Sequence, residues 1–209
     1  PNYLDAVLVI QSDVDTEVTL TLHSPYFEQP AFEQRIRVEG GRATPVELPV
    51  DQTAPDLTIS DAVVRNAIQL KSADPVSAWL IEYQDDSSEG TLLLPTALLG
   101  KEYRVMTYGN SSSVNQPGEI VEGSQFAIVA IAPETVVTIV PATTIGTRTA
   151  GAAYEVTLQP GETYRLIDLD NVAGDLTGTR ILASQPITVF GGHTCANVPA
   201  GVAACNQLI

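Results

Sequence analysis

The sequence predicts an all-β protein built as two related antiparallel, sandwich-like lobes that arose by internal duplication. Three observations support this fold class. Thr, Val, Ile and Ala are common, whereas the long Leu, Lys and Glu patterns of helices are absent. Short apolar or alternating runs are separated by turns that contain glycine and proline. The order of these runs in the first half of the 209 residues recurs in the second half.

The first half of the chain predicts a series of short strands. A fully apolar run at residues 6–10 is typical of a buried strand, and alternation at residues 17–22 and 34–38 predicts half-buried strands. A turn at Gly40 and Gly41 leads into a strand at residues 43–50, whose proline indicates an edge position. Further strands are predicted at residues 63–71, 76–83 and 103–108, with an acidic loop at residues 84–90.

The second half repeats this series. The corresponding runs are 6–10 and 126–132, 17–22 and 135–140, and 34–38 and 154–158. Corresponding residues are separated by 119 positions for Val18 and Val137, 120 for Gly41 and Gly161, and 111 for Pro75 and Pro186. Near-constant offsets, with one shorter connection in the second copy, indicate duplication.

A polar segment at residues 109–123, low in apolar residues, is the best linker candidate in the chain. We therefore predict a first lobe at residues 1–112, a second lobe at residues 124–209 and a linker at about 113–123. The late strands of the first half have no counterpart before the end of the sequence. An alternative is therefore that the two lobes share strands.

The charge balance excludes several classes of partner. Ten Lys and Arg against 25 Asp and Glu give a net charge of −15, which repels nucleic acid and anionic lipid headgroups. The longest apolar run, residues 126–132, is too short to span a bilayer. We therefore predict no nucleic-acid partner and no membrane insertion. Without an initial Met or a signal peptide, the chain is expected to be cleaved or excised from a longer one.

The two cysteines, Cys195 and Cys205, enclose nine residues. This spacing predicts a local disulfide and an oxidising compartment, and such a bridge would add roughly 2–3 kcal/mol of stability. A reactive free thiol is the alternative, but no basic neighbour stabilises a thiolate. Zinc would need two further ligands nearby.

A glycine pair precedes the first cysteine. A short apolar strand at residues 187–190 runs into Gly191 and Gly192, which we expect to turn with positive φ or to pass close to another segment. His193 follows directly. A structural, hydrogen-bonded histidine is the favoured interpretation, and a metal ligand or catalytic base is the alternative.

Three acidic clusters are candidates for calcium. The preferred one consists of Asp168, Asp170 and Asp175. The other two are Asp13 with Asp15, and Asp85 and Asp86 with Glu89. None of them has the ligand spacing of an EF-hand, so solvated turn residues are the default interpretation. We predict no cofactor, and calcium binding by one of these loops is the alternative.

Catalytic motifs are absent from the sequence. It contains no Gly-x-Ser-x-Gly elbow, no His-Glu-x-x-His and no phosphate-binding glycine loop. We therefore predict that the chain is not an enzyme. A hydrolytic triad that uses His23 or His193 is the less favoured alternative. Residues 110–112 form a glycosylation sequon, which matters only in a eukaryotic secretory host.

The stretch Phe190–Gly191–Gly192–His193–Thr194–Cys195 resembles the N-terminal domain of the IgG Fc-binding protein family. Further matching segments are residues 94–103, 126–130, 135–139, 175–181 and 204–208. Members of this family occur in animal mucus proteins and in large secreted or surface proteins of bacteria. The acidic composition with two lysines favours the bacterial type.

The resemblance implies an extracellular, cell-surface module for adhesion or ligand binding within a larger protein. Its expected partners are a protein or glycan ligand on another cell or matrix, and neighbouring domains of the same chain. A purely structural spacer is the alternative function. Exposed aromatic side chains on one surface would favour binding. The candidate binding residues are Tyr26, Phe27, Tyr83, Tyr103, Tyr108 and His193.

Overall fold

A computed structural model describes residues 5–23, 32–49, 59–84, 87–110, 123–169, 174–199 and 206–208. Its strands in chain order are β1 (Asp5–Gln11), β2 (Thr16–Leu22), β3 (Phe32–Val38), β4 (Ala43–Glu47), β5 (Ala62–Val64), β6 (Ile68–Ser72), β7 (Ser77–Gln84), β8 (Ser87–Leu93), β9 (Glu102–Arg104), β10 (Ser124–Ala130), β11 (Thr135–Val140), β12 (Tyr154–Leu158), β13 (Thr163–Asp168), β14 (Arg180–Ala183), β15 (Ile187–Ala196) and β16 (Asn206–Leu208). One 3-10 turn, Thr96–Leu98, precedes β9. In the described ranges no helix is long and apolar enough to cross a membrane.

The chain forms two compact units. The first comprises Pro1–Asp56 and Val64–Pro95, and the second comprises Leu57–Val63 and Thr96–Ile209. The division therefore falls before Thr96, whereas the sequence predicted a boundary at about 113–123. The reason is β9, which follows the first repeat in sequence but pairs with β14 in a sheet of the second unit.

Each unit contains two sheets. In the first unit the strand orders are β4-β1-β7-β8 and β3-β2-β6. In the second unit they are β16-β15-β10-β13-β5 and β12-β11-β14-β9. Without β5 and β9, the second pair of sheets has the same strand order as the first. This identity confirms the predicted all-β fold of two related lobes from an internal duplication.

The pairing register supports the same conclusion. Val18 lies opposite Ile36 on β3 and Ser72 on β6. Its counterpart Val137 lies opposite Val156 on β12 and Ala183 on β14, so the offsets of 119, 120 and 111 residues match those predicted from the sequence. The turns that precede β4 and β13 also have the same geometry, because Gly41 and Gly161 have φ of 74° and 82°.

Alternating side chains build one apolar core in each unit. Leu8 and Ile10 of β1 face Val18 and Leu20 of β2, and these four residues are at most 1% exposed. The second core has the corresponding arrangement around β10 and β11, whose alternate side chains are buried. Two sheets that enclose one core form a sandwich-like lobe, as the alternation predicted.

Three local predictions were wrong. Residues 63–71 were predicted as one strand, but they form β5 and β6, which belong to different sheets. Residues 84–90 were predicted as a loop, but β8 begins at Ser87. The strand at residues 187–190 does not end at the glycine pair, because β15 continues through Ala196.

Candidate functional site

Three polar side chains form a buried row at one end of the larger sheet in the second unit. Ser124 on β10 lies opposite Asp168 on β13 and opposite His193 on β15. Each of these residues is at most 1% exposed. Cross-strand neighbours share a face of the sheet, so the three side chains lie side by side. Ser, His and Asp are the residue types of a hydrolytic triad. Their hydrogen bonds therefore decide whether the row is catalytic or structural.

Both ring nitrogens of His193 are engaged. Nδ1 accepts a hydrogen bond from the backbone N–H of Cys195 at 3.0 Å, and Nε2 lies 3.0 Å from Oδ1 of Asn110. Because Nδ1 accepts and an amide oxygen cannot donate, the ring is the neutral tautomer with its proton on Nε2. Burial lowers the pKa of His193 to about 4, and the nearby Asp175 carboxylate opposes this shift.

The hydroxyl of Ser124 is occupied elsewhere. It accepts a hydrogen bond from the backbone N–H of Leu176 at 2.9 Å and lies 3.3 Å from Oγ1 of Thr107. In a catalytic triad the serine hydroxyl donates to the histidine ring. The hydrogen bonds of Ser124 and His193 therefore stabilise the fold. A structural, hydrogen-bonded His193 is also the interpretation that the sequence favoured.

Asn110 connects this row to the rest of the second unit. Its Nδ2 donates to the carbonyl of Asp168 at 2.9 Å, and its Oδ1 accepts from the backbone N–H of Ser124 at 2.8 Å as well as from His193. Its backbone N–H donates to the carbonyl of Gly174 at 2.9 Å. From sequence this residue was only the first position of a glycosylation sequon.

The sequence did contain a signal for the buried row. The repeat places Ala6, Leu48 and Glu82 of the first unit where Ser124, Asp168 and His193 stand in the second. Two apolar residues are thus replaced by polar ones at core positions. Because a buried polar group needs a partner, this replacement indicates a hydrogen-bonded network, although it does not identify Asn110.

The cysteine prediction rests on one described residue. Cys195 is 1% exposed and disulfide-bonded. Cys205 is the other cysteine of the sequence and lies outside the described residues. The pairing of Cys195 with Cys205 therefore stays a proposal.

The preferred calcium cluster is described only in part. Asp168 is buried and Asp175 is exposed, whereas Asp170 lies outside the described residues. Oδ1 of Asp175 accepts a hydrogen bond from the backbone N–H of Thr177 at 2.8 Å. Within the described ranges, no three His, Cys, Asp or Glu side chains are grouped closely enough to hold a metal. Calcium binding at this cluster stays a prediction.

The predicted aromatic residues occupy different environments. The Tyr103 hydroxyl donates to the carbonyl of Ile187 at 2.7 Å and accepts from the backbone N–H of Gly100 at 2.8 Å. These bonds give Tyr103 a structural role. Tyr108 is half-buried in the second unit, whereas Tyr83 is 40% exposed in the first. Tyr26 and Phe27 lie outside the described residues.

Tyr83 belongs to an apolar surface that the sequence reading missed. On β7, Ala78 and Leu80 contact the first core, so the alternating Trp79, Ile81 and Tyr83 face the other side of the sheet. Leu92 of β8 lies opposite Trp79 and is 50% exposed, and Val9 of β1 flanks Trp79 on its other side. We call these residues the outer face, and they are Val9, Trp79, Ile81, Tyr83 and Leu92.

A second polar cluster was also missed. The guanidinium Nε of Arg148 lies 3.0 and 2.8 Å from the two carboxylate oxygens of Asp61, and the group stacks 4.0 Å over the ring of Tyr154. Tyr164 donates its hydroxyl to Asp61 at 2.7 Å and lies 2.7 Å from the Tyr154 hydroxyl. Burial raises the pKa of Tyr154 to about 12 and also raises that of Tyr164. Both phenols are therefore neutral, and the cluster fixes the segment before β5 to β12 and β13.

Comparison with known proteins places the chain in a family. The family model described as IgGFc binding protein matches residues 89–209, which is more than half of the chain. The chain belongs to the IgGFc-binding protein family. The match begins in β8 and includes β9–β16, so the matched region contains the buried row and the Asn110 contacts.

A human relative of the same family is IgGFc-binding protein. It is 31% identical to this chain over 158 residues, which is 72% of the chain and 3% of the relative. The chain therefore spans about 3% of the length of this curated relative. Because the relative is human, it does not support the bacterial type that the composition suggested. No solved structure matches the chain.

Proposed function

We propose that this chain is an extracellular protein-binding module of a larger protein, and that its protein ligand docks on the outer face. The observation that carries this proposal is the apolar surface of β1, β7 and β8 opposite the first core, with Tyr83 and Leu92 exposed by 40% and 50%. Family membership supports a protein ligand, because the human relative is named for binding to IgG Fc.

The chemistry of the outer face suits a protein surface. Trp and Tyr are the residues that most often anchor protein interfaces, because they bury a large apolar area and still carry a polar group. Trp79 and Leu92 are directly opposite each other, so they would form one continuous anchor. The net charge of −15 favours a ligand with a basic surface and speeds its encounter with the chain.

The extracellular setting rests on separate observations. Cys195 is disulfide-bonded, and structural disulfides persist mainly in oxidising compartments. The high acidic charge keeps such a surface soluble. A glycan ligand and attachment to another cell are the alternatives, and no contact among the described residues favours them over a protein ligand.

Titration of the immobilised chain with human IgG Fc fragment tests this proposal. We expect Leu92→Asp to weaken binding at least tenfold, because it places a charge in the centre of the anchor. Val14→Asp is the matched control, since Val14 is 51% exposed in the same unit but lies outside the outer face. Equal affinity of both variants and the parent chain would refute docking on this face.

A structural spacer is the second candidate function. It is favoured by the internal hydrogen bonds of Tyr103 and His193, two of the predicted binding residues, whose polar groups are engaged within the second unit. A spacer predicts that neither Fc nor a glycan array retains the chain, and that Leu92→Asp changes nothing but solubility. Retention of the parent chain with loss in Leu92→Asp would reject the spacer.

A further inference from the structure

The two units differ at one sheet edge. In the second unit β14 pairs with β11 on one side and with β9 on the other. The counterpart of β14 in the first unit is β6, which pairs with β2. Among the described strands, none pairs with the other side of β6. The duplicated design therefore provides a strand position beside β6 that this chain does not fill within its described part.

The register defines this position residue by residue. On β14, Arg180 lies opposite Arg104, Ile181 opposite Tyr103 and Leu182 opposite Glu102. The offset of 111 residues places Gln69, Leu70 and Lys71 where these three β14 residues stand. An equivalent strand would put an aromatic residue opposite Leu70 and a carboxylate opposite Lys71. Opposite charges in such a cross-strand pair attract each other.

The exposure of β6 differs from that of β14, which pairs with β9. Thr179 and Ile181 face the second core and are 0% exposed, with Tyr103 and Val105 of the β9 region packed on the same core. Their counterparts Ile68 and Leu70 face the first core, because they lie opposite the buried Leu22 and Leu20. Nevertheless Ile68 is 40% exposed and Leu70 is half-buried. The first core is therefore incompletely covered beside β6.

We propose that β6 is an acceptor edge for an extended strand from a neighbouring repeat of the same kind, with the chemistry of residues 100–106. The donor strand forms antiparallel backbone hydrogen bonds with β6 and covers Ile68 and Leu70. The mode is strand addition to an open sheet edge, in which the backbone supplies affinity and alternate side chains supply specificity. Modules joined in this way form a head-to-tail array, in which each contact repeats the β9–β14 pairing.

The choice of occupant follows from the chain itself. Residues 96–104 come directly after the first repeat in sequence, and they complete the sheet of the repeat that follows. Applied to the first repeat, the same relation assigns the position beside β6 to a segment that links a neighbouring repeat to it. This inference rests on the duplication and is independent of any ligand on the outer face.

A synthetic peptide of residues 96–108 tests the proposal. Added to the ¹⁵N-labelled full chain, it should shift the backbone amides of residues 68–72 in a saturable manner. Lys71→Glu should weaken peptide binding about two- to fivefold, because it places two carboxylates opposite each other. Arg42→Glu is the matched control, since it reverses the charge of an exposed basic residue of the same unit and leaves β6 intact.

Three results would overturn the proposal. The first is the absence of shifts at residues 68–72 with peptide at millimolar concentration. The second is a set of shifts at residues 180–182 instead, which would mean that the peptide displaces β9 from β14. A scrambled peptide of the same composition must leave residues 68–72 unchanged, and equal shifts with it would also refute a specific acceptor edge.

Discussion

His193 shows how a single buried residue couples the second unit to pH. The ring is 1% exposed and neutral, and its two nitrogens connect the backbone of β15 to Asn110. Protonation would place a second donor on Nδ1, directly against the N–H of Cys195. A charged ring at this buried position would also lack the hydration that it has in the unfolded chain. Protonation of the folded chain is therefore disfavoured.

This resistance predicts that stability falls with acid. The pKa of His193 is about 4 in the folded chain and about 6.5 in the unfolded chain, so the unfolded state binds more protons between these pH values. The free energy of unfolding should therefore decrease as the pH is lowered from 6.5 to 4, by about 3 kcal/mol from this residue. Denaturant unfolding of the parent chain and His193→Gln at several pH values measures the difference.

His23 provides the control for this prediction. Its pKa is also lowered, by burial and by Arg65 and Lys71, but the residue is only half-buried. His23→Gln should therefore keep most of the pH dependence that His193→Gln removes. An unchanged pH dependence in His193→Gln would contradict the neutral, hydrogen-bonded ring.

At the scale of elements, Gly191 in β15 allows a close approach of two backbone segments. A Cβ atom on Gly191 would overlap the carbonyl oxygen of Met106, which no side chain could tolerate. The Thr107 hydroxyl also donates to the neighbouring carbonyl of Gly192. The segment after β9 is thus held against β15. Of the two roles expected for this glycine, the close approach applies, since its φ is not positive.

Gly191→Ala should destabilise the chain by about 1–3 kcal/mol, because one backbone segment must move to accept the methyl group. Gly90→Ala is the matched control in β8, where the nearest atom to the new methyl group is 3.7 Å away. The control should change stability by less than about 0.5 kcal/mol. Thermal unfolding of both variants measures this, and equal effects would contradict the close packing of residue 106 on β15.

Sequence patterns predicted most strands but not their partners. Alternation at residues 17–22 and 135–140 correctly identified β2 and β11, because their two faces meet different environments. The same reasoning could not divide residues 63–71 into β5 and β6, since their division depends on which sheet each half joins. The site was predicted less well. His193 was placed correctly as a hydrogen-bonded residue, whereas Asn110 was not found because its partners are distant in sequence.

At the scale of the molecule, duplication explains both the regularity and the exceptions. The connection between β4 and β6 is longer than its counterpart between β13 and β14, and this extra length contains β5, which joins the larger sheet of the second unit. Strand β9 is added to the other sheet in the same way. The second unit is therefore completed by segments that the repeat pattern assigned to the first lobe.

The central functional claim is that a protein ligand docks on the outer face of the first unit. Hydrogen–deuterium exchange of the chain with and without saturating human IgG Fc fragment tests it most directly. We predict slower exchange within residues 77–93, where β7 and β8 carry Trp79, Tyr83 and Leu92, and unchanged exchange at residues 68–72. Identical exchange in both states, or slowing that is confined to the second unit, would contradict the proposed binding function.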